Sequence, residues 1–163
     1  MFNIRSKNDS FYFDVKINCE PRKNNLIEKF YIDYGSIYLT SPDFTDFEYM
    51  VDNINDRLDR AVEENDDDVN FDNERDEILD GLYNTEWMKG HRTFYVYINH
   101  RIPSMYMKFS TNIDVAPIHL LFMHSLAYYK QDPDWQNDGV IHNGTINFYI
   151  YQDYVVYKCG TDS

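Results

Sequence analysis

One stretch of the chain combines a helical pattern with dense acidity: residues 44–64, which read FTDFEYMVDNINDRLDRAVEE. Apolar residues recur there at steps of three and four, the spacing that places side chains on one side of an α-helix. Ser41, Pro42 and Asp43 just before it suit an N-cap, a first helical residue and an acid at the positive end of the helix dipole. We therefore predict a helix over about residues 42–64. Its apolar side would consist of Phe44, Phe47, Val51, Ile54, Leu58, Ala61 and Val62.

The same segment carries most of the acidity of the chain. Seventeen of the 28 acidic residues lie between residues 43 and 86, against three arginines, so this segment has a formal charge of −14. The other residues hold 12 basic and 11 acidic side chains and are nearly neutral. The net charge of −13 is thus a local property. It argues against an anionic membrane or nucleic acid as the main partner.

Before and after the acidic segment, apolar and polar residues alternate, as they do in half-buried β-strands. Asn143-Gly144 also predicts a type I′ turn, which would join the two short strands around it in a hairpin. The predicted strands are 11–17, 26–34, 36–40, 93–98, 105–109, 140–141, 146–148 and 154–158.

Two further helices complete the predicted secondary structure. Residues 65–73 are rich in acids and amides and predict a loop, after which residues 74–83 form a short helix. Residues 114–129 are apolar on more than one side, which indicates a more buried helix. Pro117 is tolerated there because it falls in the first turn.

The predicted fold class is α+β: a mostly antiparallel sheet with two to three packed helices. At 163 residues we expect a single domain over residues 1–163, with residues 43–86 as an acidic helical module inserted between the β halves. The N-terminal residues lack the apolar core of a secretory signal, so we expect a cytoplasmic protein. Cys19 and Cys159 lie far apart in sequence and are expected to be free thiols.

Five carboxylates of the long predicted helix form a row of their own, roughly 130° around the helix axis from the apolar side: Glu48, Asp52, Asp56, Asp59 and Glu63. No lysine interrupts the row, although like charges at these spacings cost a few tenths of a kcal/mol per pair. Two interpretations stay open: a solvated face that keeps the protein soluble, or a surface that binds a basic partner. The predicted partner-binding residues are Glu48, Asp52, Asp56, Asp59, Glu63, Asp66, Asp67 and Asp68.

The density of this charge suggests the kind of partner. A 23-residue helix is about 34 Å long. If the second helix folds back beside it, the seventeen carboxylates share that length, or about one per 2 Å. Duplex DNA carries about one charge per 1.7 Å. We therefore expect an acidic inhibitor that mimics nucleic-acid charge and occupies the basic groove of a nucleic-acid-binding protein or nuclease. By analogy, this would suit a phage or mobile-element counter-defence protein, of anti-CRISPR or antirestriction type, in a bacterial host; the alternative is an immunity protein that neutralises a toxic nuclease.

A weak calcium-loop pattern overlaps the acidic segment. Acids or amides fall at loop positions 1, 3, 5, 7 and 12, between two predicted helices. Phe71 occupies position 6, where the loop needs glycine for its sharp turn, so a metal or other cofactor is not expected. The weak candidates are Asp66, Asp68, Asn70, Asp72 and Glu77.

The sequence contains no interpretable catalytic motif. His91-Arg92-Thr93 resembles one half of a two-histidine phosphoesterase signature, but a second His-x-Thr/Ser is missing. The six glycines are scattered and form no phosphate-binding loop. We expect a protein that is not an enzyme, with a site hidden from sequence inspection as the alternative.

The chain has fifteen tyrosines, and many fall on one parity of the predicted strands: Tyr95, Tyr97, Tyr106, Tyr149 and Tyr151. Either both sheet faces are covered, with the hydroxyls bonded at the edge of the core, or one face is partly exposed and binds a partner. Bases could stack on such a face. The basic residues that should accompany such a face are few, however, so direct nucleic-acid binding is not expected.

Overall fold

In the part of the chain that the computed structural model describes, three helices accompany a seven-stranded and a two-stranded sheet. The described residues are 2–5, 12–17, 19–22, 25–33, 39–41, 47–64, 69–98, 105–131, 140–142 and 145–160. The helices are α1 (Phe47–Glu64), α2 (Val69–Leu82) and α3 (Pro117–Gln131). The strands are β1 (Phe2–Arg5), β2 (Tyr12–Ile17), β3 (Leu26–Asp33), β4 (Leu39–Ser41), β5 (Thr93–Ile98), β6 (Met105–Thr111), β7 (Val140–His142), β8 (Thr145–Tyr151) and β9 (Val155–Gly160).

The large sheet has the strand order β1-β2-β6-β5-β9-β8-β3. Its neighbouring strands are antiparallel except β5 and β9, which run parallel. Hairpins join β5 to β6 and β8 to β9, and the parallel pair places these two hairpins side by side. The predicted α+β class and the mostly antiparallel sheet are thus confirmed.

The two-residue period of the strands gives the sheet two different faces. On β5, Phe94 and Val96 are fully buried on the face that the helices cover, whereas Tyr95 and Tyr97 point to the other face. All three helices bury side chains in the same core as the first face. The strand residues in this core include Phe94, Val96, Met107, Phe109, Ile146, Phe148, Ile150, Val155 and Tyr157.

Helix α1 packs into the core through one apolar side. Met50, Ile54 and Leu58 are buried at four-residue steps, and Phe47 and Val51 pack against the core from its margin. The helix predicted from the sequence is therefore present over 18 residues. It begins at Phe47; the predicted start at residues 42–43 and the side chains of Phe44 and Ala61 lie outside what the structure describes. Ser41, the predicted N-cap, belongs to β4 and pairs with Val140.

Two local predictions were wrong. The predicted loop at residues 65–73 is too long, because α2 already begins at Val69. Val, Asn, Phe and Asp, which make up residues 69–73, have low intrinsic helix propensity, but packing of Ile78 and Leu82 in the core stabilises the helix that contains them. The predicted hairpin around residues 143–144 is also wrong, because β7 pairs with β4 whereas β8 pairs with β3 and β9. Pairing with distant strands thus outweighs the local turn signal.

Helix α3 is the most buried helix, as its sequence predicts. Nearly every described side chain from Ile118 to His124 is buried. Pro117 is its first residue, where the missing N–H leaves no hydrogen bond unmade.

The packing of α1 predicts a clear stability difference between its two sides. Leu58→Ala should lower the free energy of unfolding by about 2–5 kcal/mol, because it leaves a cavity at a fully buried position. The control Asp52→Ala, at an exposed position of the same helix, should change it by less than about 0.5 kcal/mol. Urea denaturation followed by circular dichroism measures both. Equal effects would contradict the assigned packing of α1.

Candidate functional site

Helix α1 presents a row of carboxylates on the side away from the core. Asp52, Asp56, Asp59 and Glu63 are all exposed, since the opposite side of the helix is the buried one. Their spacing of four, three and four residues keeps them along one side of the helix. Four of the predicted partner-binding residues therefore lie together, as expected from the helical period.

The other predicted partner-binding residues behave differently. Glu48 is half-buried, and its Oε2 atom is shielded from solvent without a hydrogen-bond partner among the described residues. It therefore does not extend the exposed row. Asp66, Asp67 and Asp68 lie outside the described residues.

Helix α2 carries exposed carboxylates of its own, among them Asp76 and Asp80. The two helices are in contact: an Arg75 nitrogen of α2 lies 3.2 Å from an Asp59 oxygen of α1. The Tyr83 hydroxyl, just after α2, donates to Asn55 at 3.4 Å. We call the combined surface the acidic helical surface; it consists of Asp52, Asp56, Asp59, Glu63, Asp76 and Asp80.

Arginines of the same molecule reduce the charge of this surface. Arg60 lies 3.1 Å from Asp56, and Arg75 lies 3.3 Å from Asp76 in addition to its contact with Asp59. Ion pairs this exposed contribute about 0–1 kcal/mol each. Six exposed carboxylates along the roughly 27 Å of α1 give about one per 4–5 Å, less than the density expected from the sequence and less than that of DNA.

A cleft continues the acidic side of the molecule at the sheet edge. It has a volume of about 480 Å³ and lies between α2 and the edge strand β3. Asp33, Glu77 and Asp80 line it together with Trp87, whose ring stacks on Phe30 at a centroid distance of 4.9 Å. This cleft therefore adds carboxylates to the same side without adding a described cation.

The structure contradicts the weak calcium-loop hypothesis. Because α2 begins at Val69, positions 4 to 12 of the proposed loop are helical, and a helix does not wrap its side chains around one ion as that loop must. Within the described ranges no three His, Cys, Asp or Glu side chains form a metal-binding group. Of the weak candidates, Asn70, Asp72 and Glu77 lie on α2, and Asp66 and Asp68 lie outside the described residues.

The sheet face opposite the helices is lined by tyrosines and lysines from six strands, β2, β3, β5, β6, β8 and β9. Strand register places Lys16 beside Lys108 and Lys108 beside Tyr95. Further along the sheet, Tyr97 lies beside Lys158. We call this surface the tyrosine-lysine face, and Asp14 shares it with the tyrosines and lysines that define it: Lys16, Lys29, Tyr31, Tyr95, Tyr97, Tyr106, Lys108, Tyr149, Tyr151, Tyr154 and Lys158.

The lysines of this face lie over tyrosine rings. The Lys29 ammonium is 5.2 Å from the Tyr149 ring centroid, and the Lys158 ammonium lies between Tyr97 and Tyr149 at 5.2 and 5.5 Å. Lys108 lies 6.0 Å from the Tyr95 ring. Such cation–π contacts hold the positive charges against the sheet and leave their N–H groups available to an incoming anion.

Part of this face is a buried aromatic layer. Tyr95, Tyr154 and Val156 are almost fully buried, with Tyr106, Tyr149 and Tyr151 packed around them. Burial raises the pKa of the Tyr95, Tyr106 and Tyr154 hydroxyls, so these groups stay protonated at neutral pH. The face therefore has a rigid base with partly exposed rings above it.

Lysines are strongly segregated to this face. The structure describes the side chains of five lysines, and four of them, Lys16, Lys29, Lys108 and Lys158, belong to it. The fifth, Lys89, lies in the turn before β5, 3.9 Å from Glu86. This clustering is not visible in the sequence, because the four lysines come from separate strands. The sequence contains one indication of it: each of these lysines is an even number of residues from a nearby tyrosine, so the two side chains of a strand point to the same face.

A second cleft, of about 380 Å³, opens at one end of the tyrosine-lysine face. Residues 20–22, which belong to the described segment 19–22, border it, and Tyr106, Tyr151, Tyr154 and Lys158 line it. The Tyr154 hydroxyl donates to the Arg22 carbonyl, and the Cys19 N–H donates to the Tyr106 carbonyl at 3.2 Å. The position of this segment beside the sheet is thus held by hydrogen bonds at both of its ends.

His91 and Arg92, the half-signature of a phosphoesterase, have structural contacts. His91 Nε2 lies 2.8 Å from the Tyr151 carbonyl oxygen, and Arg92 donates to Asp114 at 2.9 Å. The Arg92 hydrogen bond, assisted by the Gly90 N–H, holds the pKa of Asp114 below its usual value. These contacts join the start of β5 to the end of β8 and to the loop after β6.

Comparison of the chain with protein-family models, curated proteins and solved structures finds no match in any of the three. Within the described residues, no helix has the length and apolar character needed to cross a bilayer.

The start of α1 rests on a buried histidine of α3. The His119 ring stacks on Phe47, the first residue of α1, with centroids 5.1 Å apart. Its Nδ1 atom accepts a hydrogen bond from the Ala116 N–H at 3.0 Å, as the third helical residue does in a capping box. Burial lowers the pKa of His119 to about 4. The ring is therefore neutral in the folded protein at physiological pH.

This pKa predicts a loss of stability in mild acid. Between pH 6.5 and about 4 the unfolded chain binds a proton at His119 and the folded chain does not, so the free energy of unfolding should fall as the pH falls. The slope from this group should reach at most about 1.4 kcal/mol per pH unit. His119→Gln, which still accepts from Ala116 but does not titrate, should remove that part of the slope. Equal slopes in urea titrations of both proteins at several pH values would refute the assignment.

Proposed function

We propose that this protein is a non-enzymatic inhibitor whose acidic helical surface occupies the basic groove of a nucleic-acid-binding protein or nuclease. The observation that carries the proposal is the exposed row of Asp52, Asp56, Asp59 and Glu63 on a helix whose other side is anchored in the core. Anchoring matters because a rigid row of charges loses little conformational entropy when it docks.

The internal arginines are compatible with this role. The contacts of Arg60 and Arg75 with the row are solvent-exposed, so exchanging them for the cations of a partner costs little. A dense field of one sign also accelerates association with an oppositely charged groove. The interaction should therefore be fast and should weaken as salt concentration rises.

We also propose where this protein acts. An inhibitor of a nucleic-acid enzyme would act in the cytoplasm, where such enzymes contact their substrates. A phage or mobile-element counter-defence protein, acting in a bacterial host, is the kind of inhibitor that we propose.

The test is charge reversal with a matched control. The triple variant Asp52→Lys, Asp56→Lys, Asp59→Lys should abolish salt-sensitive capture of basic proteins from a lysate of the source organism, because it reverses the centre of the row. The control Glu28→Lys, Glu86→Lys, Asp153→Lys makes the same change in net charge at exposed positions elsewhere and should retain capture. Captured proteins are identified by mass spectrometry, and each purified protein is then tested for competition by a 30-base-pair DNA duplex.

Competition by the duplex for the same protein supports nucleic-acid mimicry. The proposal fails if both triple variants lose binding equally, since net charge alone would then account for capture. It also fails if the duplex never competes. Circular dichroism of both variants establishes that the helices are retained.

A further inference from the structure

We propose that the tyrosine-lysine face binds single-stranded nucleic acid, on the side of the sheet away from the acidic helical surface. This inference does not depend on the proposed inhibitor function, because it concerns different residues on the opposite side of the sheet. It assigns a ligand class to a face that no described helix covers.

Positive charge is concentrated on the tyrosine-lysine face. Four of the five lysines with described side chains lie on this face, three of them held over tyrosine rings. Arg22 adds a fifth cation at the cleft. Positive charge arranged along a surface is what a phosphate backbone requires, and it supplies the sequence-independent part of binding.

Aromatic rings lie among these cations. The ring centroids of Tyr97 and Tyr106 lie 4.8 Å apart, and the stacked rings of Tyr151 and Tyr154 have centroids 4.7 Å apart. The partly exposed rings among them pack on a buried aromatic layer. Nucleobases stack on such rings whatever their sequence, and one stacked base changes affinity by roughly 5- to 150-fold. Aromatic rings between cations are therefore the combination that a single strand with unpaired bases uses.

The cleft favours nucleic acid over an acidic polypeptide. Its volume of about 380 Å³ falls within the range of small-ligand pockets, and three tyrosines line it. Arg22 and Lys158 are placed to contact phosphate, whereas Glu20 can accept a hydrogen bond from the amino group of a base. A nucleotide can place an amino-bearing base at Glu20 while its phosphate lies at Arg22 and Lys158, whereas an acidic side chain in the cleft brings only a carboxylate.

The net charge of −13 does not prevent this binding. The sequence shows few basic residues beside the tyrosines, but strand register brings four described lysines onto the same face with them. The exposed carboxylates of α1 and α2 lie beyond the helical layer, which is about 10 Å thick. The Debye length at physiological salt is about 8 Å, so their repulsion is largely screened at the tyrosine-lysine face.

The test uses fluorescence anisotropy with labelled 15-nucleotide oligo(dT) and oligo(U) at 50 and 150 mM salt. The double variant Lys108→Gln, Lys158→Gln should weaken binding at least 10-fold and reduce the salt slope by about 1.4, since each lost phosphate contact removes about 0.7 for a single strand. Lys89→Gln removes the described lysine outside this face and should change affinity less than twofold. The preferred oligonucleotide identifies RNA or DNA as the ligand.

A second pair of variants separates stacking from charge. Tyr106→Leu removes a ring from the edge of the cleft and should weaken binding at least fivefold, whereas Tyr106→Phe keeps the ring and should bind within twofold of the unchanged protein. Thermal unfolding of each variant checks that the fold is retained, and affinities are compared among folded variants.

Several results would overturn the inference: no binding of either oligonucleotide at 50 mM salt, equal loss in Lys89→Gln and the double variant, or equally tight binding of a 15-base-pair duplex. Displacement of the oligonucleotide by poly-glutamate at matched charge concentration would indicate an acidic polypeptide instead. Reversal of Asp52, Asp56 and Asp59 should leave oligonucleotide binding intact or tighten it. The two proposals can thus fail separately.

Discussion

The structure depends on the two-residue alternation of its central strands. Phe94 and Val96 of β5 point into the helical core, while Tyr95 and Tyr97 of the same strand point away from it. A shift in register by one residue would bring the tyrosine hydroxyls under the helices and expose the phenylalanine rings, so strand register and helix packing stabilise each other. The position of each charged surface follows from this one constraint.

Charge is separated because the helices occupy a single face of the sheet. Helix α1 buries Met50, Ile54 and Leu58 and must therefore carry its acidic residues outward. Lysines on the strands share the parity of the tyrosines and emerge on the other face. The helical layer exceeds a Debye length, so one small chain can present two surfaces of opposite charge that act nearly independently.

Much of the fold could be predicted where local patterns and tertiary packing agree. The strand at Thr93–Ile98 and the helix at Phe47–Glu64 follow their hydrophobic periods, because the buried side of each element is also its most apolar side. The failures arose where long-range contacts outweighed local preference. Strand β7 pairs with β4 rather than β8, and α2 extends back to Val69.

The two candidate sites also differ in how far the sequence alone predicts them. The sequence alone determined the carboxylate row of Asp52, Asp56, Asp59 and Glu63, because a helix brings residues three and four apart together without help from the rest of the chain. Only the tertiary structure decided that Lys16, Lys29, Lys108 and Lys158 share one tyrosine-lined face. Their strands are distant in sequence, and hydrogen-bonded register across the sheet, which no local period encodes, makes them neighbours.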